Sequence, residues 1–218
     1  MIISCVSYKG GAGKTTVCQN LAVYFAHNGK NVCVIDADGS GATARWSAAR
    51  ETSDGDLPRI TVVPITEDGS FIGDVKKINA KYDYVFVDGP PSVSKIAAKI
   101  IAVSDLILVP VNPGSGSDIW VTDKFLEFYE GVMELTPNDD SIPLHFVLTN
   151  FDRRINMHKV YVEALKGYEA RGYSLLKSIM NRRIAYGEAN QAGQGVFEYD
   201  PRTVGEEITA LGKEVSSL

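Results

Sequence analysis

The chain has 218 residues, of which 44% are hydrophobic and 22% charged, and its formal net charge at pH 7 is −5. This length and apolar content suit one globular domain, which we expect to span residues 1–218. The acidic balance excludes a whole-protein attraction to nucleic acid as the main mode of binding, but it permits a local basic patch.

The three cysteines form no CxxC pair and no metal-like group with the three histidines. Because Cys5 and Cys33 lie within apolar runs, we expect core thiols in a reducing compartment. The N-terminal residues lack the apolar region of a signal peptide, and no stretch approaches the roughly twenty apolar residues of a membrane span. We therefore expect a soluble, cytoplasmic protein.

Short apolar runs recur along the chain, separated by segments of helix length. They are nearly continuous rather than alternating, which is typical of strands buried on both faces. The six runs are IISCVSY (2–8), NVCVID (31–36), ITVVP (60–64), YVFVD (84–88), DLILVPV (105–111) and LHFVLT (144–149). The clearest helix candidates are 14–29, which closes with an Asn28-Gly29 cap signal, and 118–135. This alternation predicts an α/β fold with a mostly parallel, twisted sheet covered by helices on both faces.

The first predicted strand leads into a glycine-rich loop, YKGGAGKTT (8–16), and then into a helix. Small residues let consecutive backbone N–H groups turn toward a phosphate, and the helix N-terminus adds its positive end. Lys14 is placed to reach the β- and γ-phosphates, and the Thr15 hydroxyl to bind Mg²⁺. The sequence therefore predicts a P-loop NTPase fold, with nucleotide contacts from Gly10, Gly11, Ala12, Gly13, Lys14, Thr15 and Thr16.

Three aspartates follow predicted strands and complete the candidate site. Asp36 ends the second run and Asp38 lies two residues later, where a carboxylate can orient the attacking water or the Mg²⁺ shell. Asp88 ends the YVFVD run, as the acidic residue of a Walker B strand does. We predict metal contacts from Thr15, Asp36 and Asp88. The alternative interpretations are a strand-end cap for Asp36 and a plain turn residue for Asp88.

The loop departs from the standard P-loop because Tyr8 replaces the first glycine and Lys9 follows it. In this respect it resembles the deviant Walker A loop of the ParA/MinD family of ATPases. The resemblance implies that Lys9 reaches the nucleotide of a partner subunit while Lys14 serves its own. It also implies that Asp38 supports hydrolysis, although Gly39 and Ser40 replace the family's Pro-Gln.

Further segments extend the resemblance to residue 215. GPP (89–91) resembles the family's switch II, and VLTNFDRR (147–154), SIMNRRIAYGEA (178–189) and VFEYDPRTVGEEITALGKEV (196–215) resemble later motifs. The segment at 178–189 lies over the adenine in the family, which makes Asn181 and Arg182 candidate nucleotide contacts; Asn181 replaces a usual proline. The whole chain looks most like the small plasmid-partition ParA proteins of the ParF type.

The resemblance implies a Mg²⁺-dependent ATPase that positions a cargo, with Lys9, Lys14 and Asp38 as catalytic residues. ATP binding would drive a sandwich homodimer that binds DNA without sequence preference, and a partner protein would stimulate hydrolysis and release. The ATP state would then be associated with the nucleoid. Candidate DNA contacts are Arg153, Arg154, Arg182, Arg183, Arg202 and Lys213, for each of which a solvated surface charge is the alternative.

Two other functions use the same loop. A MinD-like membrane role requires a basic amphipathic tail, but GEEITALGKEVSSL (205–218) holds three glutamates and one lysine, so we expect it to pack against the domain rather than bind membranes. A P-loop small-molecule kinase or ATP-dependent ligase requires an acceptor pocket with its own base. The scattered positions of His27, His145 and His158 do not indicate one.

Overall fold

The computed structural model of the chain describes residues 1–53, 55–67, 69–114, 118–136 and 142–218. The strands are β1 (Ile2–Cys5), β2 (Val32–Asp36), β3 (Thr61–Pro64), β4 (Tyr84–Asp88), β5 (Leu106–Val111), β6 (Leu144–Phe151) and β7 (Ser174–Asn181). The helices are α1 (Lys14–His27), α2 (Ala42–Glu51), α3 (Phe71–Asn79), α4 (Lys95–Val103), α5 (Asp118–Leu135), α6 (Asn156–Lys166), α7 (Ala185–Gln191), α8 (Val196–Tyr199) and α9 (Val204–Val215), with a 3₁₀ turn at Gly167–Arg171. No helix in these ranges combines the length and apolar character that crossing a bilayer requires.

The strands of the described ranges form one sheet in which every pair is parallel, in the order β3-β2-β4-β1-β5-β6-β7. This confirms the predicted α/β fold, and the six predicted strands are present with ends that shift by at most three residues. The largest shift is at β1, which ends at Cys5 rather than at residue 8. β1 lies between β4 and β5, so the loop after it emerges at the edge where parallel α/β sheets bind ligands.

One strand, β7, has no counterpart among the predicted runs. It lies at the edge of the sheet and mixes buried residues such as Leu176 and Met180 with exposed ones such as Ser174 and Lys177. The criterion of a continuous apolar run applies to strands covered on both faces, so it misses this strand.

The sheet separates two apolar layers, which explains the continuous runs of the central strands. Along β4, Val85 and Val87 contribute to one buried cluster, whereas Phe86 contributes to the other. Ile2 and Ile3 of β1 divide in the same way. Because successive side chains of a strand point to opposite faces, a strand covered on both sides must be apolar at every position.

The C-terminal helix α9 packs along the edge strand β7 and against α1. Its Glu214 accepts hydrogen bonds from the backbone N–H groups of Lys177 (2.7 Å) and Ser178 (2.8 Å), and its Glu207 accepts one from Asn181 (2.9 Å). Lys177 and Ser178 lie where the register of β7 against β6 shifts, so Glu214 supplies acceptors for N–H groups at an interruption of the ladder. The tail therefore packs on the sheet, as its acidic composition led us to expect.

Helix α2 is attached to the C-terminal segment by a buried ion pair. Arg50 donates two hydrogen bonds to the Glu198 carboxylate, at 2.8 and 2.7 Å, and the two side chains are 7% and 3% exposed. The indole N–H of Trp46 also donates to the carbonyl of Gln194 (3.1 Å). Removing one partner of such a buried pair leaves an uncompensated charge, so this contact strongly constrains where α2 lies.

We predict that Gly212→Ala destabilises the fold although alanine favours helices. A Cβ at this position of α9 would overlap the ring of Tyr24, so the ring or the contact between α1 and α9 must shift. We expect the free energy of unfolding, measured by urea denaturation, to fall by about 1–3 kcal/mol.

The matched control is Gly131→Ala in α5, where a Cβ has no described heavy atom within 4 Å. Here the free energy of unfolding should stay unchanged or rise by up to about 1 kcal/mol. Equal stability of the two variants would contradict the close α1–α9 contact.

Candidate functional site

The glycine-rich loop connects β1 to α1 at the carboxyl edge of the sheet. Gly11 and Gly13 have φ angles of +73° and +97°, which residues with a side chain rarely adopt. A Cβ on Gly13 would also lie 3.2 Å from the Thr149 side chain. The Thr149 hydroxyl donates to the carbonyl of Ala12 (2.7 Å), so β6 supports the loop from behind. The loop thus depends on glycine for its conformation and for its close contact with β6.

Lys14 lies inside its own loop and is 6% exposed. Its ammonium group donates to the carbonyl of Lys9 (3.1 Å) and to the hydroxyl of Ser7 (3.4 Å). Burial lowers the pKa of Lys14 from its ordinary value, and the nearby Asp88 and Asp38 carboxylates oppose that shift. The arrangement places one cation at the centre of the loop, where a phosphate chain would need it.

Asp36 and Asp88 are neighbours because β2 and β4 pair in the register that aligns them. The Thr15 hydroxyl donates to Asp88 Oδ2 (2.7 Å). Asp88 Oδ1 and Asp36 Oδ2 are buried oxygens that lack a hydrogen-bond partner among the described residues. Carboxylate oxygens and a hydroxyl are the ligands that Mg²⁺ takes, usually together with substrate phosphates and water. The donor set therefore fits Mg²⁺ held jointly with a nucleotide. It does not fit an all-protein metal cage, since the described ranges contain no group of three or more His, Cys, Asp or Glu residues able to form one.

Burial sets the protonation of these carboxyl groups. It raises the pKa of Asp88 to about 6, although hydroxyl donation from Thr15 and Thr43 opposes the shift. Burial also raises the pKa of Asp36. Both groups are more easily protonated than free aspartates, because the ionised form loses hydration that the protein replaces only in part.

Asp38 lies half-buried after β2, and its backbone N–H donates to Asp36 Oδ1 (3.1 Å). Its own carboxylate accepts from the backbone N–H (3.3 Å) and the hydroxyl (3.2 Å) of Ser40. Such local bonds are the means by which Asp and Ser stabilise turns. Ser40 thus holds the Asp38 side chain in a segment that has Gly39-Ser40 in place of Pro-Gln.

A cleft with a cavity volume of about 210 Å³ opens beside the loop. Its walls come from the loop and from the ends of β5, β6 and β7, and its lining residues are Gly11, Gly13, Thr16, Asn112, Thr149, Asn150, Met180, Asn181, Arg183 and Tyr186. Of the two candidate nucleotide contacts in this region, Asn181 lines the cleft but Arg182 does not; Arg183 does instead. The backbone N–H of Arg182 donates to the carbonyl of Phe151 (2.8 Å), which joins this turn to the end of β6.

Several residues of this site were not among those predicted from the sequence. Asn112 directly follows β5, and Asn150 lies near the end of β6 with φ +51°; their positions at the carboxyl edge of the sheet could have indicated them. Thr43, by contrast, donates to Asp88 Oδ2 (3.1 Å) from the first turn of α2, and no local pattern predicts that contact.

The six basic residues considered for DNA binding are all exposed. Arg153 and Arg154 lie close to Arg182 and Arg183, because the backbone bond between Arg182 and Phe151 brings the two turns together. Arg154 pairs with Asp152 (2.7 Å), and Arg183 with Glu207 (3.3 Å). Arg202 precedes α9 and Lys213 lies near its end.

A model of the CobQ/CobB/MinD/ParA nucleotide-binding domain matches residues 3–196. The chain belongs to this family. The match spans the loop, all three aspartates and the cleft, so the family assignment and the site geometry concern the same residues. This match confirms, at the level of the family, the resemblance of the sequence to the ParA/MinD ATPases.

Relatives in the family are similar over nearly their full lengths. The chain is 27% identical to "Maintenance of carboxysome distribution protein A" of Halothiobacillus neapolitanus, over 98% of this chain and 95% of that protein. It is 26% identical to the sporulation initiation inhibitor protein Soj of Bacillus subtilis, over 99% of this chain and 98% of that protein. A structure of Cyanothece McdA in complex with ATP superposes with a TM-score of 0.78, at 15% identity and over 99% and 96% of the two chains. That structural likeness shows a shared fold.

We predict that Asp88→Asn stabilises the protein in the absence of nucleotide and Mg²⁺. Because the pKa of Asp88 is raised to about 6 in the fold, the ionised carboxylate lowers stability as pH rises from about 4 to 6, and the loss persists above that range. At pH 7.5 the variant should gain about 1–3 kcal/mol in free energy of unfolding by urea denaturation, and the gain should vanish near pH 4.

The control is Asp74→Asn, since the Asp74 side chain is 37% exposed and its pKa is lowered by hydrogen bonds from Ser70 and Lys77. It should show no gain at pH 7.5. An Asp88→Asn variant less stable than the wild type at pH 7.5 would show that the buried charge is compensated in the fold.

Proposed function

We propose that this protein is a ParA-type positioning ATPase that binds ATP with Mg²⁺ and hydrolyses it. The observation that carries the proposal is the hydrogen bond from Thr15 to Asp88, under the loop that encloses Lys14. Beside it, Asp88 Oδ1 and Asp36 Oδ2 have no hydrogen-bond partner in the part of the chain that the structure describes. This arrangement fits a nucleotide whose phosphates lie in the loop and share a divalent cation with the protein.

In the proposed reaction each group has a separate task. Lys14 and the loop N–H groups bind the phosphates, and Thr15, Asp36 and Asp88 would hold Mg²⁺, which supplies neutralisation of phosphate charge when bound. Asp38 orients the attacking water toward the γ-phosphate, held in place by Ser40. Asn181 and Arg183, which line the adjacent cleft, are positioned for the nucleoside.

We further propose that ATP binding drives a homodimer in which Lys9 contacts the partner's nucleotide. Different roles for the two lysines are consistent with the geometry. The Lys14 ammonium group donates within its own loop, and Lys9 accepts that hydrogen bond with its backbone carbonyl. In the dimer, Arg153, Arg154, Arg182 and Arg183 of each subunit would form a basic surface for non-specific DNA, with Arg202 and Lys213 as additional contacts. A partner protein would stimulate hydrolysis and so release the protein from the nucleoid.

The test of this proposal is the mass in solution with ADP and with a non-hydrolysable ATP analogue, each with and without duplex DNA. We expect a monomer with ADP, twice that mass with the analogue and Mg²⁺, and DNA binding by the dimer that weakens steeply as salt rises. Lys14→Ala should lose nucleotide affinity. If the protein is a monomer with either nucleotide and does not bind DNA, the proposed positioning function is wrong.

Lys9→Ala should retain nucleotide affinity in the monomer and weaken dimerisation by at least about tenfold, since two symmetry-related charged contacts across the interface are lost. Lys30→Ala serves as the control, because Lys30 is exposed beyond the opposite end of α1. Unchanged dimerisation of Lys9→Ala would remove the cross-subunit role.

We predict that Asp38→Ala binds ATP but hydrolyses it at least about a hundredfold more slowly than the wild type, because the attacking water loses the carboxylate that orients it. The slow variant should accumulate as the ATP-bound dimer, measured by phosphate release and by mass. Asp56→Ala, which removes an exposed carboxylate, is the control. Wild-type turnover in Asp38→Ala would place the catalytic carboxylate elsewhere.

A further inference from the structure

A chain of hydrogen bonds leads from α7 to the candidate metal site. Asn190 donates through Nδ2 to Gln19 Oε1 (2.6 Å), Gln19 donates through Nε2 to Thr43 Oγ1 (3.4 Å), and Thr43 donates to Asp88 Oδ2 (3.1 Å). These side chains, here called the Asp88 relay, come from α7, α1, α2 and β4. Four elements distant in sequence thus converge on one carboxylate oxygen.

The inner members of the relay are shielded from water. Gln19 is 2% exposed, Thr43 is fully buried, and Asp88 is 1% exposed. Buried amides and hydroxyls lower stability unless their hydrogen bonds are satisfied, so the partners within the relay are strongly constrained. Water is not available at these positions to substitute for a missing donor.

The relay also has a direction. A glutamine amide accepts at one end and donates at the other, and a threonine hydroxyl has one proton to donate. Asn190 donates to the oxygen of Gln19, so the Gln19 NH₂ group faces Thr43. The Thr43 oxygen accepts that bond, and its proton is directed to Asp88. The ionised Asp88 carboxylate can only accept, so it directs the Thr43 proton to itself, and donation from Asn190 leaves Gln19 in the orientation that agrees with this.

The hydrogen bond at the end of the relay gives the two oxygens of Asp88 different surroundings. Thr15 (2.7 Å) and Thr43 (3.1 Å) both donate to Oδ2, whereas Oδ1 is buried and has no hydrogen-bond partner among the described residues. An acceptor oxygen that receives no donor is suited to a cation.

We propose that Asn190, Gln19 and Thr43 are positioning residues that hold Asp88 by Oδ2 and thereby keep Oδ1 available to Mg²⁺. The proposal rests on the proposed function, in which Asp88 holds the metal. It assigns to α7 a role in the metal site, which its Asn190 reaches through the relay.

Reversing the relay tests this directly. In Asn190→Asp the side chain keeps its shape but can only accept, so Gln19 must turn its NH₂ group toward residue 190 and its oxygen toward Thr43. The single Thr43 proton then has two acceptors, the Gln19 oxygen and Asp88 Oδ2, so its donation to Asp88 is weakened. Thr43→Val removes the same donor at its source, and Thr43→Ser restores the hydroxyl.

The measurement is the affinity for a fluorescent ATP analogue as a function of Mg²⁺ concentration, and again in excess EDTA. We expect Asn190→Asp and Thr43→Val to raise the Mg²⁺ concentration at half-effect by about tenfold, the consequence of weakening or losing one hydrogen bond to a charged group. Affinity in EDTA should stay within about twofold of the wild type, because the loop contacts do not involve the relay. Thr43→Ser should behave as the wild type.

The control for added charge is Gln191→Glu, which places a carboxylate on the neighbouring, exposed position of α7. It should leave the Mg²⁺ dependence unchanged. If folded Thr43→Val keeps the wild-type Mg²⁺ dependence, or loses affinity equally in EDTA, the positioning role is wrong. If the wild type itself binds nucleotide without regard to Mg²⁺, the proposed function fails instead, so the two failures are distinguishable.

Discussion

The structure is organised around a carboxylate that is buried without full compensation. Asp88 ends β4, beside the central strand β1, and accepts two hydroxyl protons on Oδ2. Its Oδ1 has no hydrogen-bond partner among the described residues. Asp88 is aligned with a second buried carboxylate, Asp36. Such groups lower the stability of a fold by themselves, because burial removes hydration from charge. The surrounding elements must therefore be held in place by contacts made elsewhere.

Those contacts come largely from the C-terminal third of the chain. The backbone N–H of Val196 donates to Asn20 of α1 (2.8 Å), and the buried Arg50–Glu198 pair holds α2. Helix α9 covers the edge strand and packs on the opposite end of α1. The loop and its aspartates occupy the first ninety residues, but the helices that carry their partners are secured by residues after 190.

The residues of the candidate site contribute little to the stability of the fold, which depends on contacts made elsewhere. Glycines at positive φ, a lysine enclosed by its own loop and two neighbouring carboxylates are each unfavourable or neutral for folding. Together they produce a concentrated set of phosphate and cation ligands. A bound nucleotide with Mg²⁺ would supply the missing partners, so binding and the stability of this region are coupled.

The sequence by itself determined the parts of this protein that depend on local chemistry. The loop 8–16 requires glycines followed by Lys14 and Thr15, and the central strands must be continuously apolar because both of their faces are covered. Strand β7 escaped prediction because an edge strand carries no such requirement. Whether Arg182 or Arg183 lines the cleft depends on how the chain turns after β7, which residue types alone do not encode. The relay from Asn190 to Asp88 was decided only by tertiary structure, since its hydrogen bonds join residues that are far apart in the chain and become neighbours when the helices pack on the sheet.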